Sequence, residues 1–230
     1  MLKVITLFIA LLFYFHTGFA QETIVRKHRL NDQVIERISV LKSDKSTRQG
    51  IYQAVTEKDI AVASGSFDHD KKTGVWHFYN LNGQLLQNYD YTKKTLLFEA
   101  PEDTTSNLRY FVDKTLADTD RTAKPIKAGG RYFGYIPYLK MFKLPEDLMG
   151  ISRTASYAVI ELLVSPGGRL ADFKVHLFSG LNYHKVFNRS TDMPNEEDKI
   201  FIPATVNGDP IGCRIMISCR INNDGGLEMP

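Results

Sequence analysis

Apolar and polar side chains alternate most regularly in the last third of the chain, where they predict β-strands. Residues 157–164 form an apolar run with one acidic side chain, and residues 170–178 alternate apolar and polar, as half-buried strands do. A Pro-Gly-Gly sequence at 166–168 predicts a hairpin turn between them. A third apolar run covers residues 211–221. The side chains expected on its buried face are Ile215, Ile217, Cys219 and Ile221.

The stretch between the second and third runs, residues 180–199, is polar. Residues 181–189 within it predict a short helix, which ends before Pro194 because proline has no N–H to continue the helical hydrogen bonds. The second half of the chain is therefore predicted to be a small domain with a three-stranded antiparallel sheet backed by one or two helices. The fold class predicted for the whole chain is α+β.

The first half of the chain contains an internal repeat. The segment FDHDKKT at 67–73 returns as YDYTKKT at 89–95, and GIYQAV at 50–55 is echoed by GVWHFY at 74–79. Fixed periods of about 20–50 residues are typical of arrays in which each unit buries one face against its neighbour. Each unit is predicted to be an antiparallel β-hairpin.

One hairpin can be placed residue by residue. Residues 75–79 are aromatic and strand-prone, residues 80–83 (Asn-Leu-Asn-Gly) have turn chemistry, and residues 84–91 form the returning strand. Asn-Gly sequences favour the positive backbone angles of tight hairpins. A glycine follows the first Lys-Lys-Thr segment, whereas Leu96 follows the second. We therefore expect the array to end after the second copy.

Composition divides the chain into segments. Residues 99–124 are rich in Pro, Thr and Asp and predict a linker, within which residues 108–112 have the pattern of a short strand. The predicted organisation is a β-hairpin repeat region at 21–98, this linker, a second domain at 125–222 and a tail at 223–230.

The first twenty residues predict export. Lys3 precedes an apolar run at 4–15, and Gly18 and Ala20 supply the small residues of a signal-peptide cleavage site before Gln21. The alternative is an uncleaved anchor in the inner membrane, since the segment is only just long enough to span a bilayer. We therefore expect an exported protein that is periplasmic or associated with the cell envelope.

The net charge and the cysteine content further limit the classes of function that the sequence supports. Without Lys3, 28 basic residues stand against 26 acidic ones, and so small a net charge argues against a nucleic-acid partner. Cys213 and Cys219 lie six residues apart on one predicted strand. An extended chain separates them by about 20 Å, too far for a disulfide. Both are expected to be free and to behave as small core hydrophobes.

No sequence motif predicts catalysis. Neither a P-loop nor a GxSxG, HExxH or CxxC motif occurs. His176 is expected to be an outward polar residue on a strand, and His184 has no carboxylate partner in its neighbourhood of the sequence. Glu161 is expected to face solvent or to pair with a basic neighbour. His69 lies between two aspartates in a lysine-flanked segment, which is typical of a solvated hairpin tip rather than a metal site. No cofactor and no metal are expected.

Read in order, residues 125–222 resemble the C-terminal domain of TonB-family proteins. Pro125 followed by Gly-Gly at 129–130 matches the opening P-x-x-x-G-G of that family, and Leu-Pro-Glu-Asp at 144–147 stands at its Y-P-x-x-A. Gly167 begins the second strand, as in the family's D-G-x-x-x-x-V. Phe-Ile-Pro-Ala and then Asn-Gly-Asp-Pro-Ile within 201–211 parallel its W-x-P-A and G-x-P-V. The repeat region, residues 50–98, resembles MORN-type repeats.

The chain also departs from the TonB family. Residues 181–185 and Pro194 replace the Leu-Asp and Ala pair of the family's central helix, and Gly134 and Pro137 interrupt its first helix. A long Pro-rich spacer is absent. The resemblance therefore implies the domain rather than the complete energy transducer.

The resemblance implies a non-enzymatic protein that recognises a protein partner, such as an outer-membrane receptor in transmembrane transport, by strand addition to a sheet edge. The last strand is the expected edge, since no later element in the sequence must cover it. Its residues are Arg214, Ile215, Met216, Ile217, Ser218, Cys219 and Arg220. The arginines fit equally a protective role against self-pairing. The alternative function is a secreted structural β-repeat protein that binds surface or membrane components and oligomerises through its second domain. An enzyme ranks third.

Overall fold

The computed structural model describes residues 21–230, so the predicted signal peptide or anchor lies outside the described residues. The first part of this range folds into one antiparallel sheet of seven strands, ordered as in the sequence. Its strands are β1 (Thr23–Arg29), β2 (Val34–Leu41), β3 (Arg48–Thr56), β4 (Ala61–Asp68), β5 (Lys71–Tyr79), β6 (Leu85–Asp90) and β7 (Thr95–Glu99).

Local turn chemistry explains this meander. At the β5–β6 turn the Asn80 side chain accepts hydrogen bonds from the backbone N–H groups of Asn82 and Gln84, and Gly83 has a φ of +81°. The predicted hairpin at residues 75–91 is confirmed. The echoed segments occupy equivalent places on β3 and β5, where the rings of Tyr52 and Trp76 have centroids 5.1 Å apart.

A second, six-stranded sheet contains the later strands. Its order is β12 (Tyr183–Asn188), β11 (Leu170–Ser179), β10 (Ser156–Val164), β15 (Cys213–Ile221) and β16 (Leu227–Glu228), and β8 (Leu108–Val112) also pairs with β15. A small third sheet joins β14 (Asp209–Ile211), β13 (Ala204–Val206) and β9 (Thr122–Ala123). The predicted strands at 157–164 and 170–178 are confirmed as β10 and β11. The strand predicted at 211–221 is confirmed from Cys213 onward as β15, while Ile211 ends β14.

Helical structure is scarce, and the predicted α+β fold class is wrong. The described chain has 51% of its residues in strands and 9% in helical turns, with sheets of seven and six strands instead of one small three-stranded sheet. The one α-helix within residues 21–230, α1 (Ile136–Lys140), has five residues. Short 3₁₀ turns lie at Phe133–Tyr135, Glu146–Leu148, Arg153–Ala155 and Glu196–Lys199. No helix in residues 21–230 is both long and apolar enough to cross a membrane.

The stretch predicted as a helix at 181–189 is strand β12 instead. Its aromatic and β-branched residues Tyr183, Val186 and Phe187 fit a pleated surface, and the adjacent edge of β11 offers them backbone partners. Phe187 turns inward and its ring packs against Phe142, with ring centroids 5.2 Å apart. Tertiary pairing therefore overrides the weak helical propensity of this polar stretch.

The segments predicted as linker and tail both belong to the sheets. β8 and β9 come from residues 99–124, and β16 comes from residues 223–230. The C-terminal Met229 is buried, and the Pro230 carbonyl accepts a hydrogen bond from the Asn107 side chain. Ile126 and Ile202, far apart in the chain, also exchange backbone hydrogen bonds.

One apolar core joins the two large sheets. It extends from Val34 in β2 to Met229 at the C-terminus and includes the predicted face of β15, with Ile215 and Ile217 completely buried. Cys213 and Cys219 are buried and free, as the sequence predicts. Burial raises the pKa of the Cys213 and Cys219 thiols to about 11 and about 12, so both remain protonated.

Candidate functional site

The strand predicted to be the docking edge lies inside its sheet. β15 pairs with β10 on one side, while β8 and β16 pair with successive parts of its other side. Met216 lies opposite Glu161 on one neighbour and Arg109 on the other. The premise that nothing covers this strand is therefore incorrect. The sequence predicted that no later element must cover this strand, whereas an earlier element, β8, and a later one, β16, both pair with it.

The side chains of β15 alternate as the sequence predicts. Ile215, Ile217 and Cys219 enter the core, and Arg214, Met216, Ser218 and Arg220 lie on the opposite face. The Arg214 guanidinium pairs with the Asp113 carboxylate at 2.7 Å. On this central strand both arginines belong to the outer face of the sheet and not to an open edge.

Within residues 21–230, one edge of the second sheet is β12, which pairs with β11 alone, and β8 and β16 form the opposite edge. The N–H of Arg189 bonds to the Phe173 carbonyl just beyond the ladder. Because hydrogen-bonded and non-hydrogen-bonded pairs alternate in antiparallel sheets, residues 183, 185 and 187 bond to β11. The backbone N–H and C=O groups of His184, Val186 and Asn188 consequently point away from the sheet.

A polar cluster lies beside this edge, on the outer face of the sheet. The His176 ring on β11 is 2.7 Å (Nε2 to Oε2) from Glu161 on β10 and 3.2 Å (Nδ1 to Nε2) from the His184 ring on β12. Glu161 also pairs with Arg214 at 3.5 Å. The prediction that Glu161 pairs with a basic neighbour is confirmed. The sequence offered no carboxylate partner for His184. In the structure His184 is linked to the Glu161 carboxylate indirectly, because His176 contacts both side chains.

A cleft of about 270 Å³ opens between the first sheet and the segment around α1. Tyr52, Phe67 and Trp76 line it, and charged groups surround them. Two ion pairs involve these groups: Arg48 pairs with Asp70 at 2.8 Å and Lys72 pairs with Glu197 at 2.9 Å. The Lys72–Glu197 pair holds the 194–198 segment against the first sheet, and the Arg48–Asp70 pair lies within that sheet, so these charges serve the fold.

Lys127 is a buried lysine beneath the same segment. Its amine donates hydrogen bonds to the Glu197 and Ile200 carbonyls, at 2.5 and 3.1 Å, and lies 5.1 Å from the centre of the Phe201 ring. Burial lowers the pKa of this amine from 10.5 to about 8, because the apolar surroundings disfavour the charged form. The Lys127 amine therefore holds the segment in place, but burying its positive charge lowers the stability of the fold. This free-energy cost disappears when the amine loses its proton.

This cost predicts an unusual pH dependence of stability. Between pH 8 and about pH 10 the folded protein releases the Lys127 proton while the unfolded chain keeps it, so stability from this residue rises with pH. Relative to Lys127→Met, we expect the wild-type free energy of unfolding to increase by about 1–2 kcal/mol from pH 7 to pH 10. Urea unfolding of both proteins at several pH values measures the difference.

The control for this experiment is Lys58→Met, since the Lys58 side chain is exposed on a turn. Its stability difference from wild type should stay constant over the same pH range. A Lys127→Met difference that is equally constant would contradict the buried, easily deprotonated state of Lys127.

The other histidine and acidic side chains of residues 21–230 form no cluster larger than that of Glu161, His176 and His184. His69 has a φ of +46° at the β4–β5 turn, where its Nδ1 lies 2.7 Å from the Asp68 carboxylate, in agreement with the predicted hairpin tip. Within residues 21–230, no group of three or more His, Cys, Asp or Glu side chains is arranged to hold a metal ion. Sequence reasoning missed the β12 edge and the histidine pair. The alternation of side chains in residues 183–188 was the only feature of the sequence that could have indicated the β12 edge or the histidine pair.

Comparison of this chain with protein families, with curated proteins and with solved structures finds no match.

Proposed function

We propose that this is a non-enzymatic protein of the cell envelope that binds an extended segment of a protein partner by adding it as a strand to β12. The observation that supports this most directly is the open edge, where the backbone groups of His184, Val186 and Asn188 face outward. Added strands gain affinity from such backbone groups and specificity from the alternate side chains.

β12 is a better docking edge than the edges of the first sheet. β1 carries Arg26, Lys27 and Arg29, and such charges keep an edge from pairing. At the other end of the sheet, the register between β6 and β7 shifts after Asn88, a bulge that distorts the edge. β12 pairs with β11 in continuous register, from Tyr183 opposite Ser179 to Asn188 opposite Lys174.

The side chains along β12 define the chemistry of the partner. Val186 and Tyr183 are 43% and 38% exposed, on opposite faces of the strand, and both offer apolar surface to an added strand. Lys185 places positive charge at the same edge, whereas Lys174 on β11 is paired with the Asp172 carboxylate at 2.6 Å. A segment with alternating apolar and acidic side chains fits best. The predicted export signal and the TonB resemblance favour an envelope protein, and an outer-membrane receptor is the class that we propose.

The variant Val186→Pro tests this edge directly. Proline removes the outward N–H at position 186 and leaves the bonds of residues 185 and 187 to β11 in place, and edge strands tolerate it for this reason. We expect partner binding to weaken by at least about tenfold, since one hydrogen bond is lost and the ring blocks the approaching strand. The matched control is Val186→Thr, which keeps the N–H and the β-branched shape.

The measurement has two steps. Mature wild-type protein first captures partners from envelope extract, and the affinity of each captured protein is then measured for both variants after circular dichroism has shown that they are folded. A partner that binds the threonine variant like wild type and the proline variant weakly supports the proposal. Equal binding by both variants would overturn it. So would loss of self-association alone, which would favour the structural alternative.

A further inference from the structure

His176 and His184 form a cross-strand pair on the outer face of the second sheet. His176 lies on β11 and His184 on β12, in positions that are diagonal neighbours across the ladder. The two rings are nearly parallel, at 10°, and the His176 Nδ1 and His184 Nε2 atoms are 3.2 Å apart. The nitrogens face each other along this hydrogen bond, and the ring centroids are 5.4 Å apart, so each ring points nearly straight at the other. Rotation of both rings toward one side would aim their lone pairs at a common point beside the line that joins the two nitrogens.

The separation of these nitrogens suits a metal ion. With metal–nitrogen bonds of about 2.0–2.1 Å, two imidazoles on one ion are about 2.9 Å apart in square-planar and about 3.4 Å apart in tetrahedral geometry. The observed 3.2 Å lies between these values. An ion beside the N–N line could therefore replace the hydrogen bond between the rings if both rings rotate toward it, without large movement of either strand.

Both rings are held in this orientation by other side chains. Glu161 Oε2 lies 2.7 Å from His176 Nε2, on the side of the ring opposite His184. A carboxylate that accepts the N–H of a ligating histidine fixes its tautomer and makes the other nitrogen a better ligand. The Phe178 ring stacks on His184 with centroids 4.4 Å apart and an angle of 3°. Glu161 and Phe178 are thus positioning residues that order the pair before any ion binds.

We propose that His176 and His184 bind one divalent transition-metal ion of the kind that prefers imidazole, such as Zn²⁺, Cu²⁺ or Ni²⁺, through Nδ1 and Nε2 respectively. Glu161 supports His176 from the second coordination shell, and water completes the coordination because only two protein ligands converge. Binding transfers the His184 proton from Nε2 to Nδ1, so a neutral pair binds the ion without releasing a proton. This site is independent of strand addition at β12.

Isothermal titration of the untagged mature protein with Zn²⁺ tests the site. We expect one ion per chain, and affinity at least about tenfold lower for His184→Gln, which loses a ligand. Glu161→Gln should weaken binding by about tenfold while leaving the stoichiometry at one, as for other second-shell partners. His69→Gln is the matched control, because it removes an exposed histidine from the β4–β5 turn and should bind like wild type.

Electron paramagnetic resonance of the protein with one equivalent of Cu²⁺ supplies a second readout, in which two nitrogen ligands are expected. Circular dichroism without metal establishes that each variant is folded. Equal Zn²⁺ affinity of wild type and His184→Gln would overturn the proposal. An equal loss in His69→Gln, or Cu²⁺ coupled to a single nitrogen, would do the same.

Discussion

Gly65→Ala is expected to destabilise the protein by at least about 3 kcal/mol, the upper end of the usual cost of overpacking a core. A Cβ at this position of β4 would lie 2.2 Å from a ring carbon of Trp76. Trp76 is completely buried, and it contacts the rings of Tyr52 and Phe67 at centroid distances of 5.1 and 5.2 Å. The indole cannot move aside without disturbing these neighbours. Urea unfolding monitored by circular dichroism measures the loss.

Gly150→Ala is the control, since a Cβ there meets no atom within 4 Å and the residue is exposed. Its effect should remain within about 1 kcal/mol. A second test is the double variant Gly65→Ala with Trp76→Leu, whose destabilisation should be less than the sum of the single changes, because the clash needs the indole. Strict additivity would mean that the added methyl acts through some other contact.

Gln87→Leu is expected to cost about 3–5 kcal/mol, because the Gln87 amide is buried and fully hydrogen-bonded. Its Oε1 accepts from the backbone N–H groups of Gly129 and Gly130 at 2.9 and 3.0 Å. Its Nε2 donates to the Lys127 carbonyl at 3.0 Å and to Glu99 Oε2 at 2.8 Å. Leucine has nearly the same size but cannot make any of these hydrogen bonds, and only Glu99 keeps a charged neighbour, Lys124 at 3.8 Å. Thermal and urea unfolding measure the change.

The matched control is Gln53→Leu, an exposed position on β3 where the same substitution should alter stability by about 0.5 kcal/mol or less. Gln87 connects β6 of the first sheet to the Gly-Gly turn that leads to α1, so its loss should loosen the contact between the two halves. A Gln87→Leu protein as stable as wild type would show that water or a backbone shift satisfies the freed groups.

The Gly-Gly pair at 129–130 stands out as a motif in the sequence, but its structural role could not be predicted from the sequence. In the sequence it supported a resemblance. In the structure Gly129 has a φ of +120°, and a Cβ on it would lie 2.6 Å from Gly134 Cα. Gly130 has a φ of +69°. The pair allows a tight approach of two backbone segments, and Gln87, 42 residues earlier, completes it. No pattern near the glycines pointed to that partner.

Predictions from short-range chemistry were correct where the energetics are local. The Asn80–Gly83 turn, the strands later seen as β10, β11 and β15, and the free cysteines all follow from backbone preferences and alternation within about ten residues. The inward face of β15 was likewise correct, since a strand's two faces are set by its own alternation.

Predictions that depended on which strands become neighbours failed. β15 was expected at an edge, yet residues 108–112, assigned to a linker, pair with it. Residues 181–189 were expected to be helical, yet they extend the sheet beyond β11. The candidate docking edge therefore moved from β15 to β12, and the histidine pair emerged only because β12 lies next to β11.

By itself, the sequence determined the local hairpins, the buried and exposed faces of the main strands and the improbability of a disulfide, because turn geometry and side-chain alternation act over a few residues. Only the tertiary structure decided the strand order, the open edge, the enclosure of Gln87 and Lys127 and the meeting of Glu161, His176 and His184. These features arise from contacts between residues far apart in the chain. Their energies depend on which surfaces are buried together, and no short segment encodes that choice.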